Sequence, residues 1–250
     1  MENFLEALFY IWASLYYTSP LLELTIIIIL ACIFFSKRGK SPIRKLSVIY
    51  LSSVLILFLY TDVGFSVNGM YKNYFNNTDY LISNEIITQV FQILEVYIFY
   101  TIFDLDCNSR ALRFGRNLSV LTVFISSLFS IKQLVHATSY NSILDNGELI
   151  TALSFLTLTV GGVLYYVALY KKNIIWAKHS GLCFLIFSYS VISFLTFPLS
   201  IYCYIYLNEY IYWRLVTSYH VLLLLAIAIK MCHSILKKKE IQTQFNTFRI

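Results

Sequence analysis

The chain has few of the charged residues from which soluble domains build their surfaces. Only 13% of its 250 residues are charged, while 58% are hydrophobic, and 21 tyrosines and 20 phenylalanines are present. A soluble domain of this length exposes far more charge than this composition supplies. The composition therefore indicates an integral membrane protein of the all-α, polytopic class, with the lipid bilayer as its solvent.

Glycine and proline are also scarce, with 8 Gly and 3 Pro in the chain. Secondary transporters commonly use helices that Gly or Pro breaks near a substrate site at the membrane midplane, repeated in two halves. Neither feature is evident here. A small-solute or proton transporter is accordingly an alternative interpretation and not the leading one.

The cysteines and histidines lack the spacings of metal sites and disulfide frameworks. None of the five cysteines forms a CxxC pair, and the four histidines form no HExxH or His-x3-His motif. The histidine pair of seven-helix zinc amidases is thus not matched, and no G-x-S-x-G nucleophile motif occurs. Lys230 lies too near one end of the last apolar run to be a retinal lysine. We expect no metal or cofactor.

The apolar runs predict seven transmembrane helices in a single domain covering residues 1–250. A spanning helix needs about 20 residues, and the candidate spans are 20–36, 46–63, 84–103, 118–137, 148–170, 179–203 and 210–235. Residues 3–17 form either an interfacial amphipathic helix or an eighth span. The first fifteen residues contain no Lys or Arg, so we expect no cleaved signal peptide.

The basic residues predict the orientation of these helices. Of the 19 basic residues, 15 fall in alternate polar segments, which lie after spans one, three, five and seven. Cytoplasmic loops carry such an excess, so the pattern predicts an N-terminus outside and a cytoplasmic C-terminus, and we expect the chain to lie in the inner (plasma) membrane of the cell. The net charge of +6 is then an orientation signal and no evidence for nucleic-acid binding.

The third predicted span carries an unusual polar stripe. In NEIITQVFQILEVYIFYTIF, the side chains of Glu85, Gln89, Gln92 and Glu95 fall within an arc of about 120° on one helical face. Glu95 comes about 15 Å deeper than Glu85, near the middle of the bilayer. A charge there costs at least about 2.5 kcal/mol, so Glu95 must be protonated, paired or hydrated.

Three further residues complete a predicted outward-facing pocket. His220 reaches a similar depth on the seventh span and is the expected partner of Glu95, while Lys132 and His136 lie one turn apart toward the outer end of the fourth span. A purely structural interpretation remains open, because Gln and Glu also hydrogen-bond across membrane bundles with gains well below about 1 kcal/mol. An intramembrane ionisable group is nevertheless a functional hypothesis by default.

Three segments carry a resemblance to a known group of proteins. They are QILEVYIFY, NIIWAKHSGLCF and WRLVTSYHVLL, and with them the chain resembles uncharacterised bacterial seven-helix integral membrane proteins. The resemblance implies a bundle similar in layout to the sensor-type membrane modules found with histidine kinases, but without the kinase. It implies no ligand and no site residues.

The sequence as a whole favours a membrane receptor or sensory module over an enzyme. Its cytoplasmic segments are too short for a kinase or nucleotide-binding domain of their own, so any signal must pass to a cytoplasmic partner. The predicted ligand is a small molecule or proton that enters from the outer side. The alternatives are an intramembrane hydrolase and a transporter, both of which would use Glu95 and His220.

Overall fold

The computed structural model describes residues 19–36, 41–67, 78–134, 136, 140–174, 177–206 and 209–236. Within these ranges all regular structure is helical. The seven helices are α1 Ser19–Phe35, α2 Pro42–Val67, α3 Thr78–Cys107, α4 Arg110–Leu134, α5 Tyr140–Lys171, α6 Ser180–Tyr206 and α7 Glu209–Leu236. The predicted interfacial segment 3–17 lies outside the described residues.

Five helical segments are long and apolar enough to cross a membrane. They are Pro42–Tyr60, Ile82–Cys107, Arg110–Leu134, Leu149–Lys171 and Tyr219–Leu236. Two apolar helical segments, Glu23–Phe35 and Ser180–Thr196, are shorter. The chain is therefore a helical membrane protein, and the count of seven spans remains a prediction.

Helix α3 occupies the centre of the bundle, where it packs against α2, α4, α5 and α6. Helices α1 and α7 close the other side by packing against each other and against α2. The largest side chains buried around α3 are aromatic, namely Tyr50, Phe99, Tyr100, Phe103, Tyr165 and Tyr189. Any polar group on the inward faces of α3 is consequently enclosed by helices.

Helix α4 shows the pattern of a helix that faces lipid. Its buried residues are mostly small or aliphatic, namely Leu112, Ser119, Val123, Ser127, Ser130 and Leu134. Its outward face carries large apolar side chains, including Phe114, Leu121 and Phe129, at 53% to 71% exposure. Because lipid is as apolar as Leu, membrane helices place small residues inward and bulky ones outward.

The turns between the central helices are short. Helix α3 continues to Cys107 and α4 begins at Arg110, so the polar segment between the two predicted spans is mostly helical. Asn108 has a φ of 42°, the left-handed conformation that ends a helix. Two residues after α5 ends, Asn173 has a φ of 52°, and Ile174 N donates to Leu169 O at 3.0 Å. The side-chain hydrogen bonds between these helices make α3 antiparallel to α4 and parallel to α5, because along α3 the residue numbers of the partners fall on α4 and rise on α5.

Two oppositely charged side chains join the α3–α4 turn to the α5–α6 turn by hydrogen bonds to backbone atoms. The carboxylate of Asp106 accepts the backbone N–H of His179, with Oδ2 at 2.9 Å, where α6 begins. In return, Lys172 Nζ donates to the carbonyl oxygens of Cys107 and Asn108 where α3 ends. A negative charge at a helix N-terminus and a positive charge at a C-terminus both stabilise the helix dipole. Tyr165 also donates to Asp106 Oδ2, at 3.2 Å.

Candidate functional site

Glu95 lies in the middle of α3 and is only 1% exposed. Its Oε1 accepts a hydrogen bond from the hydroxyl of Tyr50 on α2 at 2.9 Å. The hydroxyl of Tyr189 on α6 donates to the same oxygen at 3.4 Å. A buried carboxyl group in the bundle is thus held by phenolic donors from two neighbouring helices.

His220 on α7 is connected to Glu95 through Tyr189. Its Nε2 lies 3.3 Å from the Tyr189 hydroxyl, and the described residues show no ion pair between His220 and Glu95 themselves. The expected partnership of these two residues is therefore indirect. Both contacts of Tyr189 exceed the usual 2.5–3.0 Å of a hydroxyl hydrogen bond, so this side chain lies between two partners without binding either closely.

The number of protons fixes the direction of hydrogen bonding along this chain. A tyrosine hydroxyl has one proton to donate, and a neutral imidazole has one N–H. When Tyr189 donates to Glu95, His220 must therefore present Nε2–H to the Tyr189 oxygen. When Glu95 carries a proton of its own, Tyr189 is free to donate to an unprotonated Nε2 instead. One proton on Glu95 can thus reverse the hydrogen-bond direction as far as α7.

Aromatic rings surround this polar chain, and its members Tyr50, Glu95 and Tyr189 are each 1% exposed. The Tyr50 ring lies 4.8 Å from that of Phe99, and Phe155 packs edge-on against Tyr189 at 5.3 Å. Phe155 also contacts the His220 ring, with 6.1 Å between the ring centroids. Electrostatic interactions are stronger in such low-dielectric surroundings than in water. We name the set Tyr50, Glu95, Tyr189 and His220 the Glu95 network.

The other polar residues of α3 face different helices. Gln89 Nε2 donates to Ser130 Oγ on α4 at 2.9 Å, and Gln92 Nε2 donates to Thr151 Oγ1 on α5 at 2.6 Å. Both glutamines are at most 5% exposed. The stripe predicted from the sequence therefore divides between two compartments, with the glutamines in the α3–α4–α5 interface and Glu95 facing α2 and α6.

Glu85, at the other end of the stripe, packs against α5. Its carboxylate lies directly over Gly147, where a Cβ atom would come within 2.2 Å of Glu85 Oε2. A side chain at this position of α5 would displace the carboxylate from where it lies. Glu85 therefore belongs to the α3–α4–α5 side of the bundle with Gln89 and Gln92.

Lys132 and His136 are both exposed at the end of α4. Among the hydrogen bonds and ion pairs of the described residues, none joins them to the Glu95 network. The structure thus brings together two groups of the predicted site residues, one around Glu95 with His220 and one around Gln89 and Gln92 with Glu85. It leaves Lys132 and His136 on the surface.

Sequence reasoning missed the tyrosines of the Glu95 network. Tyr50 and Tyr189 lie in apolar runs and are two of 21 tyrosines in the chain, so composition and periodicity do not distinguish them. A partial signal is the need of a buried Tyr hydroxyl for a hydrogen-bond partner. That need does not identify the hydrogen-bond partner of each tyrosine, because the partner is determined by how α2 and α6 pack against α3.

The described residues contain no group of three or more His, Cys, Asp or Glu side chains placed to hold a metal ion. Comparison of the chain with protein-family models, with curated proteins and with solved structures found no match.

Proposed function

We propose that the protein is a sensory membrane module in which a proton acts as the signal on the Glu95 network. The observation that carries the proposal is the continuous hydrogen-bonded chain from Tyr50 on α2 through Glu95 and Tyr189 to His220 on α7. A titratable group within a network that joins four helices can change how they pack when it gains or loses a proton. In this proposal the chain has seven spans, an outer N-terminus and a cytoplasmic C-terminus in an inner membrane.

The same helices would transmit a change in the protonation of Glu95 to a signalling partner. Reversing the hydrogen bonds of Tyr189 changes which of α3 and α7 holds α6 more tightly. The cytoplasmic segments after α5 and α7 carry basic residues, and a protein that reads the position of these helices would act as the signalling partner. Lys132 and His136 have no part in this proposal.

The proposal is tested by following the inner end of the bundle as the pH changes. A fluorophore attached at Lys171→Cys in lipid nanodiscs, in a background without native cysteines, should show a titration step. The step should disappear in Glu95→Gln, which keeps the side-chain shape, and persist in the matched variant Glu85→Gln on the same helix. The proposal is wrong if Glu95→Gln keeps the step, or if no step occurs.

A second candidate function is proton transport, which the same hydrogen-bonded chain favours because adjacent hydroxyl, carboxyl and imidazole groups can pass protons. The two functions differ in flux. Liposomes that contain the protein and a pH-sensitive dye should hold an imposed pH gradient if the protein is a sensor. Dissipation of the gradient that depends on Glu95 and His220 would indicate transport instead.

A further inference from the structure

The interface between α3, α4 and α5 contains buried oxygen atoms that no hydrogen bond of the protein satisfies. These atoms are Gln89 Oε1, Gln92 Oε1 and Ser127 Oγ, and their residues are 1%, 5% and 2% exposed. Buried polar atoms almost always have a partner, so each exception requires an explanation. Three exceptions in one interface point to something that the interface binds.

The orientation of the Gln92 amide follows from the hydroxyl beside it. Thr151 Oγ1 donates its only proton to Gly147 O at 2.9 Å. It can therefore only accept from Gln92, which must present Nε2 to Thr151 and leave Oε1 as the free end. The unsatisfied atom at Gln92 is thus an acceptor, and its partner must carry a proton or a positive charge.

The register of the helices places two of these three acceptors at the same depth. Gln89 contacts Ser130, and α4 is antiparallel to α3. Moving three residues inward gives Gln92 on α3 and Ser127 on α4, a rise of about 4.5 Å on each helix. Gln92 and Ser127 therefore lie at the same level, one turn deeper than Gln89.

We propose that Gln89, Gln92 and Ser127 bind a monovalent cation such as Na⁺ between α3, α4 and α5. Amide and hydroxyl oxygens replace the hydration shell of such an ion, as carbonyl oxygens do in membrane channels. Divalent ions prefer sites with carboxylates in direct contact, and no carboxylate lies at this level of α3. These oxygens therefore favour a singly charged ion over a divalent one.

In this proposal the carboxylate of Glu85 attracts the cation toward the site from the outer end. Its carboxylate over Gly147 lies one helical turn of α3 from Gln89, and Gly147 lies one turn of α5 from Thr151. A carboxylate at the mouth of a low-dielectric cleft raises the local concentration of cations. The site stands on residues outside the Glu95 network, so it can exist whether or not the proposed sensory function is correct.

The test is sodium binding by the purified full-length chain in detergent. Equilibrium dialysis against radioactive sodium should show one saturable site. Replacing choline chloride by NaCl at constant ionic strength should raise the unfolding midpoint saturably, by about 5 °C. Equal midpoints in the two salts, a larger rise in MgCl₂ than in NaCl, or no saturable binding would overturn the proposal.

Two matched serine variants separate a cation from ordinary buried water. Ser127→Ala removes a proposed ligand, whereas Ser47→Ala removes an equally buried, unsatisfied hydroxyl on α2, outside the interface. Ser127→Ala should reduce sodium affinity about tenfold, and Ser47→Ala should leave it unchanged. Gln92→Leu should abolish the sodium-dependent rise. If both serine variants keep wild-type sodium affinity, the unsatisfied oxygens bind water and the proposal is wrong.

Discussion

The hydroxyl of Tyr50 donates a 2.9 Å hydrogen bond to Oε1 of Glu95, and both residues are 1% exposed. This contact joins α2 to the central helix by a group that can be charged. It also explains how a carboxyl group is tolerated in the middle of a membrane bundle, since a buried carboxylate needs donors around it.

Replacing Tyr50 by Phe should lower the free energy of unfolding by about 1.5–3 kcal/mol, the usual range for a hydrogen bond to a charged group. The ring stays in place, so the change isolates the hydroxyl. Denaturant unfolding in detergent measures the loss. Tyr166→Phe is the control, because Tyr166 is 37% exposed and should change stability by less than about 0.5 kcal/mol. Equal losses in the two variants would contradict the role of the Tyr50 hydroxyl.

Glu95 and His220 should be energetically coupled, with Tyr189 as the link. We expect Glu95→Leu and His220→Leu each to destabilise the chain, and the double variant to lose less than the sum, by about 0.5–3 kcal/mol. Repeating the cycle in a Tyr189→Phe background should remove most of this coupling, because the shared hydroxyl is gone. Thermal stability in detergent near pH 7 is measured for the wild type and the seven variants. Additive losses in the wild-type background would show that the two residues act independently.

The sequence was most informative about features that depend on the residues of a single helix. The apolar runs predicted the seven helices, because each needs only its own composition to be recognised. The polar stripe of α3 was visible for the same reason, since its residues share one helical face. The helix ends were less well predicted: α3 extends to Cys107, because a helix can continue past the apolar run that identifies it.

Properties that depend on how helices meet could not be predicted in the same way. The stripe looked continuous, but α3 touches different neighbours along its length, so Gln92 meets α5 while Glu95 meets α2 and α6. Tyr189 could not be predicted as part of the site, because its position between Glu95 and His220 depends on the packing of three helices. Lys132 was placed in the pocket by depth alone, and depth does not determine which way a side chain faces.

The close packing of α3 on α5 depends on Gly161. A Cβ there would lie 2.6 Å from Cζ of Tyr100, a ring held by hydrogen bonds to Thr157 O and Ser119. Gly161→Ala should therefore destabilise the protein by about 1–3 kcal/mol. In Gly115→Ala the nearest atom, Leu164 Cδ1, is 3.0 Å away on a flexible side chain.

For Gly115→Ala we expect a change close to zero, because the gain in helix propensity of about 1 kcal/mol offsets the crowding. Urea or thermal unfolding of both variants in the same detergent provides the comparison. The steric argument fails if Gly161→Ala is as stable as Gly115→Ala.

His179, in the turn before α6, should make stability depend on pH. Burial lowers the pKa of its imidazole from the ordinary value of 6.5, against the opposing effect of Asp106. The folded chain therefore keeps the ring neutral while the unfolded chain takes up a proton as the pH falls through about 6.5. Stability should decline from there until the lower folded pKa is reached, and no further below it.

The variant His179→Asn cannot titrate at this position, so its stability should fall less between pH 7 and pH 5 than that of the wild type. All other titrating groups are shared by the two proteins, and the difference between them isolates His179. Identical pH profiles for wild type and His179→Asn would refute the prediction.

The predicted orientation can be tested with single cysteines at exposed positions on opposite ends of the bundle. Native Cys107 is a poor reporter, because it is 1% exposed and would escape labelling on either side of a membrane. Lys171 at the end of α5 and His136 after α4 are both exposed. In a background without native cysteines, an impermeant thiol reagent applied to intact cells should label His136→Cys and spare Lys171→Cys.

Both should react once the membrane is permeabilised, which confirms that each thiol is accessible. The excess of basic residues at alternate turns requires this result, since it places the end of α5 in the cytoplasm. Labelling of Lys171→Cys alone in intact cells would show that the bundle is inserted the other way round.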